Sequence, residues 1–296
     1  MELIPIHPGM FLVPAANEGR FPYAHAVLVD SDVVCLIDAG CGLHALEQIQ
    51  DIATPDFILV SHAHPDHTSG CWMFENVPLH APAMSAKYLG QLDRIADRYA
   101  EPGALAETYK SYVQGSMGFE TCVPTHTYEA GAGFELGQSR IVAVHAPGHT
   151  DDHMCFFDTA SGILLSGDID LTLFGPFYGN RESDIGQLLD TIQNLMDLEP
   201  RIVVSSHLGV IKDDIQGRFQ RYRDVITMRH GAIAELVRRE RSLAELVELS
   251  PIYRTRPVAP ALTRYWEEQM IQKHLDLLVL EGRIQRTAKG YVSRKP

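Results

Sequence analysis

Two kinds of apolar run alternate along this chain. The first kind is short and rich in β-branched residues: "AHAVLVD" at 24–30, "DVVCLID" at 32–38, "FILVS" at 57–61, "RIVAVHAPGHT" at 140–150, "GILLSGD" at 162–168 and "RIVVSSH" at 201–207. Continuous apolar runs of this length read as strands buried on both faces. The first two are joined by "DSD", a hairpin connection. The second kind has helical spacing, as in "GLHALEQIQDI" at 42–52. The alternation predicts an α/β fold.

The stretch at about 82–125, beginning "PAMSAKYLGQLDRIADRYAEPGALAETYK", is helix-like, contains Tyr and Met, and is interrupted by Pro-Gly and Gly. It predicts a helical insertion projecting as a lid. From residue 214 the pattern changes again. "RFQRYRDVITMRHGAIAELVRRE", "SLAELVELS" and "APALTRYWEEQMIQKHLDLLVLEGRIQRTAKGYVSR" read as helices followed by a short wing. The expected domains are therefore 1–213, carrying the lid, and a small helical, winged-helix-like unit at 214–296.

Charge divides the chain at the same place. Residues 1–214 hold 9 Lys and Arg against 29 Asp and Glu, whereas residues 215–296 hold 16 against 9. Two units of opposite sign either dock on one another or leave a basic surface for an anionic partner. Nucleic-acid binding is largely electrostatic, so the acidic first part speaks against it without excluding it. Five cysteines, odd in number and without CxxC, read as reduced thiols. No apolar run reaches the length of a membrane span, and the N-terminus has no secretory pattern. A cytoplasmic protein is expected, with a small, anionic substrate and homodimer formation both left open.

The chemistry concentrates at the ends of the strand-like runs. "SHAHPDHTSG" at 61–70 carries His62, His64, Asp66 and His67; His149, Asp168 and His207 close three later runs. In an extended segment His62 and His64 point to one side, and a turn at Pro65 redirects Asp66 and His67. One loop can then feed two neighbouring metal positions. Imidazole and carboxylate donors suit zinc, with iron or manganese as alternatives. Of the other histidines, His7, His25, His44, His80, His126, His230 and His274 read as surface or core residues. His145 and His153 lie close enough in sequence to support the ligands. "GDIDLTLFGPFYGN" offers Tyr178 as a hydrogen-bond donor to a substrate oxygen. No GxSxG is present.

The His62-Ala63-His64-Pro65-Asp66-His67 stretch, followed in order by "APGHT", "SGD" and "SSHLG", resembles the pattern of the metallo-β-lactamase superfamily over about residues 20–213. The resemblance implies a four-layer αββα sandwich and two divalent metal ions. It places the first ion on His62, His64 and His149, the second on Asp66, His67 and His207, and Asp168 between them. It also implies that Asp38 orients a ligand histidine. Such a pair would activate a bridging hydroxide, oriented by Asp66, to attack an ester, thioester or similar acyl bond. "APGHTDDHM" and "HLDLLVLEGRI" further resemble the branch of the β-lactamase-like endoribonuclease, and the loop after Asp168 resembles glyoxalase II. An endoribonuclease or phosphodiesterase, and an iron-dependent oxidoreductase of the sulfur-dioxygenase type, are the alternatives. His64, where flavodiiron proteins carry Glu, argues against that redox branch; Leu171, where quorum-signal lactonases carry Tyr, argues against theirs.

Overall fold

The computed structural model describes residues 2–254 and 260–294. Its framework is two sheets. The first has seven strands in sequential order: Ile4–His7, Met10–Val13, Ala26–Asp30, Val34–Ile37, Phe57–Leu59, Leu79–Pro82 and His126–Tyr128. The second has six, in the order Gly209–Ile211, Ile202–Ser205, Ile163–Gly167, Met154–Asp158, Ser139–His145 and Gly133–Leu136. The predicted hairpin is present, with Val27 opposite Ile37 and Asp30 opposite Val34.

Three apolar layers account for the stacking. Alternate residues of one strand serve two of them, because side chains on a strand point to opposite faces. Val27, Val29, Cys35 and Ile37 meet Ala143, Phe156, Leu165 and Val204 between the sheets. Leu28, Leu36 and Ile58, on the other face, pack beneath Leu46 and Ile49 of the helix Leu43–Ile52. Cys155, Leu164 and Val203 pack beneath Ile185, Leu188 and Ile192 of the helix Ile185–Asp197. Helix, sheet, sheet, helix is the expected four-layer sandwich, and the doubly apolar strand runs are its direct cause.

The segment expected as a lid forms the helices Ala86–Leu89, Leu92–Tyr99 and Ala104–Met117. Beyond residue 214 come the helices Ile215–Leu236, Leu243–Leu249 and Pro260–Leu280, then a two-stranded wing pairing Ile284–Arg286 with Tyr291–Ser293. This C-terminal part shares the outer core of the second sheet: Phe219, Tyr222, Ile226, Met270 and Leu275 join Leu188 and Ile192 in one cluster. Leu262, Tyr265 and Trp266 of the long last helix pack instead against Ile95, Tyr99 and Tyr109 of the lid. The contact between the two units is thus mainly apolar. Several of the basic residues pair locally, Arg218 with Asp213 and Arg221 with Asp214. Among the described residues, no helix is long and apolar enough to cross a membrane.

Candidate metal centre

The strand ends that carry the candidate donors converge. His62 to His67 follow the strand Phe57–Leu59, His149 follows Ser139–His145, Asp168 follows Ile163–Gly167, and His207 follows Ile202–Ser205. Two groups result, each with donor atoms within 4.8 Å of one another: His62, His64, His149 and Asp168; and Asp66, His67, Asp168 and His207. Asp168 belongs to both. Its Oδ2 lies 3.0 Å from His149 Nε2, 3.5 Å from His64 Nδ1 and 3.6 Å from His62 Nε2. Its Oδ1 lies 2.8 Å from His67 Nε2 and 3.2 Å from His207 Nε2. Asp66 Oδ2 stands 3.6 Å from His207 Nε2.

Oxygen acceptors outside the cluster orient four of the five histidines. His67 Nδ1 donates to Asp38 Oδ2 at 2.7 Å. His62 Nδ1 donates to Ser61 Oγ at 2.9 Å, and that hydroxyl donates onward to the same Asp38 oxygen at 2.8 Å. His149 Nδ1 donates to the Phe177 carbonyl at 2.9 Å, and His207 Nδ1 to the Gly19 carbonyl at 2.6 Å. A neutral imidazole that donates from Nδ1 presents a bare lone pair at Nε2. All four Nε2 atoms face Asp168. His62 Nε2 is buried with no hydrogen-bond partner in the protein. An orphaned acceptor of this kind, among convergent imidazole and carboxylate donors, is what a divalent cation would satisfy. The residues therefore fit the metals the sequence predicts.

Backbone geometry brings these groups so close. Asp38 takes a positive φ of 59°, strained for a residue with a side chain, and so reaches both Ser61 and His67. Gly40 lies under the ligand loop. A Cβ there would stand 1.4 Å from the Asp66 carbonyl oxygen, so only glycine allows that approach.

Charge follows the same arrangement. Burial opposes the ionised form of Asp168, but His67, His207 and His149 outweigh it and hold the carboxyl well below its ordinary range. Burial likewise opposes protonation of His207, yet Asp168 and Asp66 raise it to about 9. His64 is pushed well below its ordinary value by burial and then by His62 and His149. A site that draws protons toward its carboxylates in this way equally draws cations.

Several residues that the sequence reading did not single out hold the centre together. Arg98, on the helix Leu92–Tyr99, is 4% exposed and binds Asp152 Oδ1 at 2.8 Å, Asp151 Oδ1 at 2.8 Å and Glu182 Oε1 at 2.6 Å. The other oxygen of Asp152 accepts from the backbone of Ala63, between two ligands, at 3.0 Å. Burial would raise the Asp152 carboxyl, but Arg98 outweighs it and keeps the group well below its ordinary range. The Tyr99 ring packs on His64, with centroids 4.8 Å apart. His153, fully buried, accepts from the Asp168 backbone at 3.0 Å and so supports that ligand, whereas exposed His145 only meets the Asp151 carbonyl. The "DDH" after "GHT" was the available signal for Asp152.

Tyr178 requires a correction. It is fully buried, and its hydroxyl lies 2.8 Å from His274 Nε2 and 3.3 Å from Arg229 Nη1, both on C-terminal helices. That hydroxyl is committed to joining the loop to the C-terminal part and does not face the clustered ligands. Its neighbour Phe177 is the aromatic that reaches a donor, its ring centroid 5.8 Å from that of His149.

Known proteins sharpen this picture. The human protein named acyl-coenzyme A thioesterase MBLAC2 is 26% identical over 217 residues, spanning 65% of this chain and 71% of that one. The atrochrysone carboxyl ACP thioesterase of Aspergillus chevalieri is 26% identical over 246 residues, spanning 80% and 68% respectively. Among solved structures, a metallo-beta-lactamase family protein from Thermus thermophilus superposes with a TM-score of 0.73 over 98% of this chain and all of its own, at 23% identity. A beta-lactamase domain protein from Burkholderia ambifaria does so with a TM-score of 0.74 over 99% and 94%, at 19% identity. The model of the metallo-beta-lactamase superfamily matches residues 19–207, the span that holds every candidate donor, so the chain belongs to that superfamily and is a hydrolase.

Proposed function

We propose that this protein is a binuclear, zinc-dependent thioesterase acting on the acyl thioester of a small carrier such as coenzyme A or a pantetheine arm. The observation that carries the two-ion reading is Asp168, whose two carboxylate oxygens face separate donor groups. His62, His64 and His149 would hold one ion, Asp66, His67 and His207 the other, with Asp168 shared. The ions would supply Lewis acidity and a nucleophilic hydroxide at neutral pH.

The chain's own residues do the rest. Asp66, an acceptor-only group when ionised, orients the attacking hydroxide by accepting a hydrogen bond from it. Asp38, Ser61, Phe177 and Gly19 hold the histidine rings so that nothing reorganises during the reaction. Tyr99 and the lid exclude bulk water above His64. A thioester suits such a site because thiolate leaves readily, its conjugate acid having a pKa of about 8.5. No dedicated proton donor is then needed. The two thioesterase names among the relatives point the same way. Free cysteines among the described residues suit a reducing, cytoplasmic setting.

The test is a substrate panel on protein loaded with zinc and counted by elemental analysis. Two ions per chain, with acyl-pantetheine or acyl-coenzyme A thioesters turned over far faster than a phosphodiester, are expected. One ion, or faster cleavage of the phosphodiester or of RNA, would overturn the proposal.

A further inference from the structure

The fifth histidine of the centre is oriented the other way round. His64 presents Nδ1 to the cluster, 3.1 Å from His149 Nε2, and turns Nε2 outward. There it meets a nitrogen: Asn180 Nδ2, at 2.8 Å. Both groups are buried, with Asn180 fully so. The other four rings meet oxygens at this point.

The chemistry of the pair follows from proton counting. An imidazole that binds a cation through Nδ1 must keep its proton on Nε2. That proton would then face an amide N–H, two donors in contact. Meanwhile Asn180 Oδ1 is buried with no hydrogen-bond partner. A buried unsatisfied carbonyl costs about 1–3 kcal/mol. A half-turn of the amide about its Cβ–Cγ bond exchanges the two atoms at one position. It removes the clash and gives Oδ1 a partner in one step. With Nδ2 toward the ring, the amide instead suits a His64 whose proton sits on Nδ1, the form that cannot bind a cation through the nitrogen facing the cluster.

We propose that Asn180 is a positioning residue for the metal centre: its Oδ1 accepts from His64 Nε2–H and fixes the tautomer that leaves Nδ1 bare. The inference rests on a cation occupying the first donor group, as proposed above. The C-terminal part takes a share in this. Lys273, on the last long helix, donates to the Asn180 carbonyl at 2.8 Å and so holds the loop that carries the amide. The lid covers the other side, with Tyr99 against the His64 ring.

Two substitutions separate accepting from donating. Asn180→Asp keeps size and can only accept when ionised; Asn180→Leu can do neither. Zinc binding is measured by competition with a chromogenic chelator, ion by ion. Ring-15N NMR of His64, assigned by its loss in His64→Gln, reports the tautomer. The expected result is that zinc-loaded wild type shows His64 protonated at Nε2. Asn180→Leu should lose the first ion's affinity by about 10- to 100-fold, the second ion staying, and Asn180→Asp should stay within a few-fold of wild type. Near-ultraviolet circular dichroism checks that each variant is folded, and Asn180→Asp carries the test if Asn180→Leu is not. Asn180→Asp losing the first ion, Asn180→Leu keeping it, or a His64 protonated at Nδ1 in the loaded protein would overturn the assignment while leaving the two-ion reading intact. Wild type that takes up no zinc at all would instead overturn both.

Discussion

Replacing Arg98 with methionine removes the cation that Asp151, Asp152 and Glu182 share while keeping an apolar stem of similar length. Asp152, fully buried, then loses its ion-pair partner, whereas Asp151 and Glu182 are 32% and 18% exposed and retain some water. Breaking a buried pair by removing one partner costs about 3–5 kcal/mol, chiefly through the stranded charge. The guanidinium also lies 4.2 Å from the Tyr88 ring centroid, a contact that adds on the order of 0.5–1 kcal/mol. A loss of about 4 kcal/mol is expected, or on the order of 10 °C in Tm for a chain of this size. The pH dependence gives a second reading. In the wild type the Asp152 carboxyl is held well below its ordinary value. Its contribution to stability is therefore present above the unfolded pKa of about 4 and is lost only as pH falls through the lower folded value. In Arg98→Met, burial without the cation raises that carboxyl, so the variant binds a proton on folding and gains relative stability as pH falls. The gap between the two proteins should be widest at neutral pH and should narrow toward pH 5. Urea unfolding at pH 7.5 and pH 5, with Asp152→Asn and the double variant completing the cycle, measures both effects. A loss below about 1 kcal/mol, or a gap that does not change with pH, would refute the stranded-charge reasoning.

Asp168→Ala should release both ions and lower hydrolysis more than any lid substitution, by at least about 1,000-fold; wild-type turnover in that variant would mean that Asp168 is not shared. His207→Ala should release the second ion and keep the first, and equal loss of both in elemental analysis would count against separable positions. His274, held neutral down to about pH 3 by burial and by His230 and Arg229, has a folded pKa below the unfolded 6.5. The stability it contributes is present above pH 6.5 and is lost as pH falls toward 3, so His274→Gln should flatten the acid limb of the stability profile, and an unchanged limb would oppose this. Duplex DNA and structured RNA should bind only weakly at 150 mM salt, and tight binding that falls steeply with added salt in a fluorescence titration would favour the nuclease alternative.

The parts of this molecule that were legible in its sequence are those whose cause is local. The doubly apolar runs predict buried strands, and the 61–70 segment places four potential donors within six residues. Asp38 could be read only through the resemblance to the family. What the sequence hid depends on long-range register. Arg98 is one of two arginines in an amphipathic helix, and nothing nearby marks it as the one that turns inward to Asp152, 54 residues away. The Gly19 carbonyl that orients His207 is 188 residues distant and is backbone, without any residue-type signal. Asn180 sits in a loop whose path is set by Lys273 and by the packing of the last helix. Tyr178 shows the converse error: its residue type suggested chemistry, but His274 and Arg229, 96 and 51 residues away, take up its hydroxyl.

The donors come from both halves of the sandwich. His62, His64, Asp66 and His67 hang from the first sheet, and His149, Asp168 and His207 from the second. Each bound ion would therefore rivet one half of the chain to the other. A ligand present at about 1,000 times its dissociation constant adds roughly 4 kcal/mol to the stability of the state that binds it. Two rivets of that strength are comparable with the whole folding stability of an ordinary domain. Scarcity of metal in the cell would then act on the amount of this protein as well as on its turnover, since chains that open more often are cleared by proteases. Its abundance would rise and fall with the supply of its ions, without any dedicated regulator.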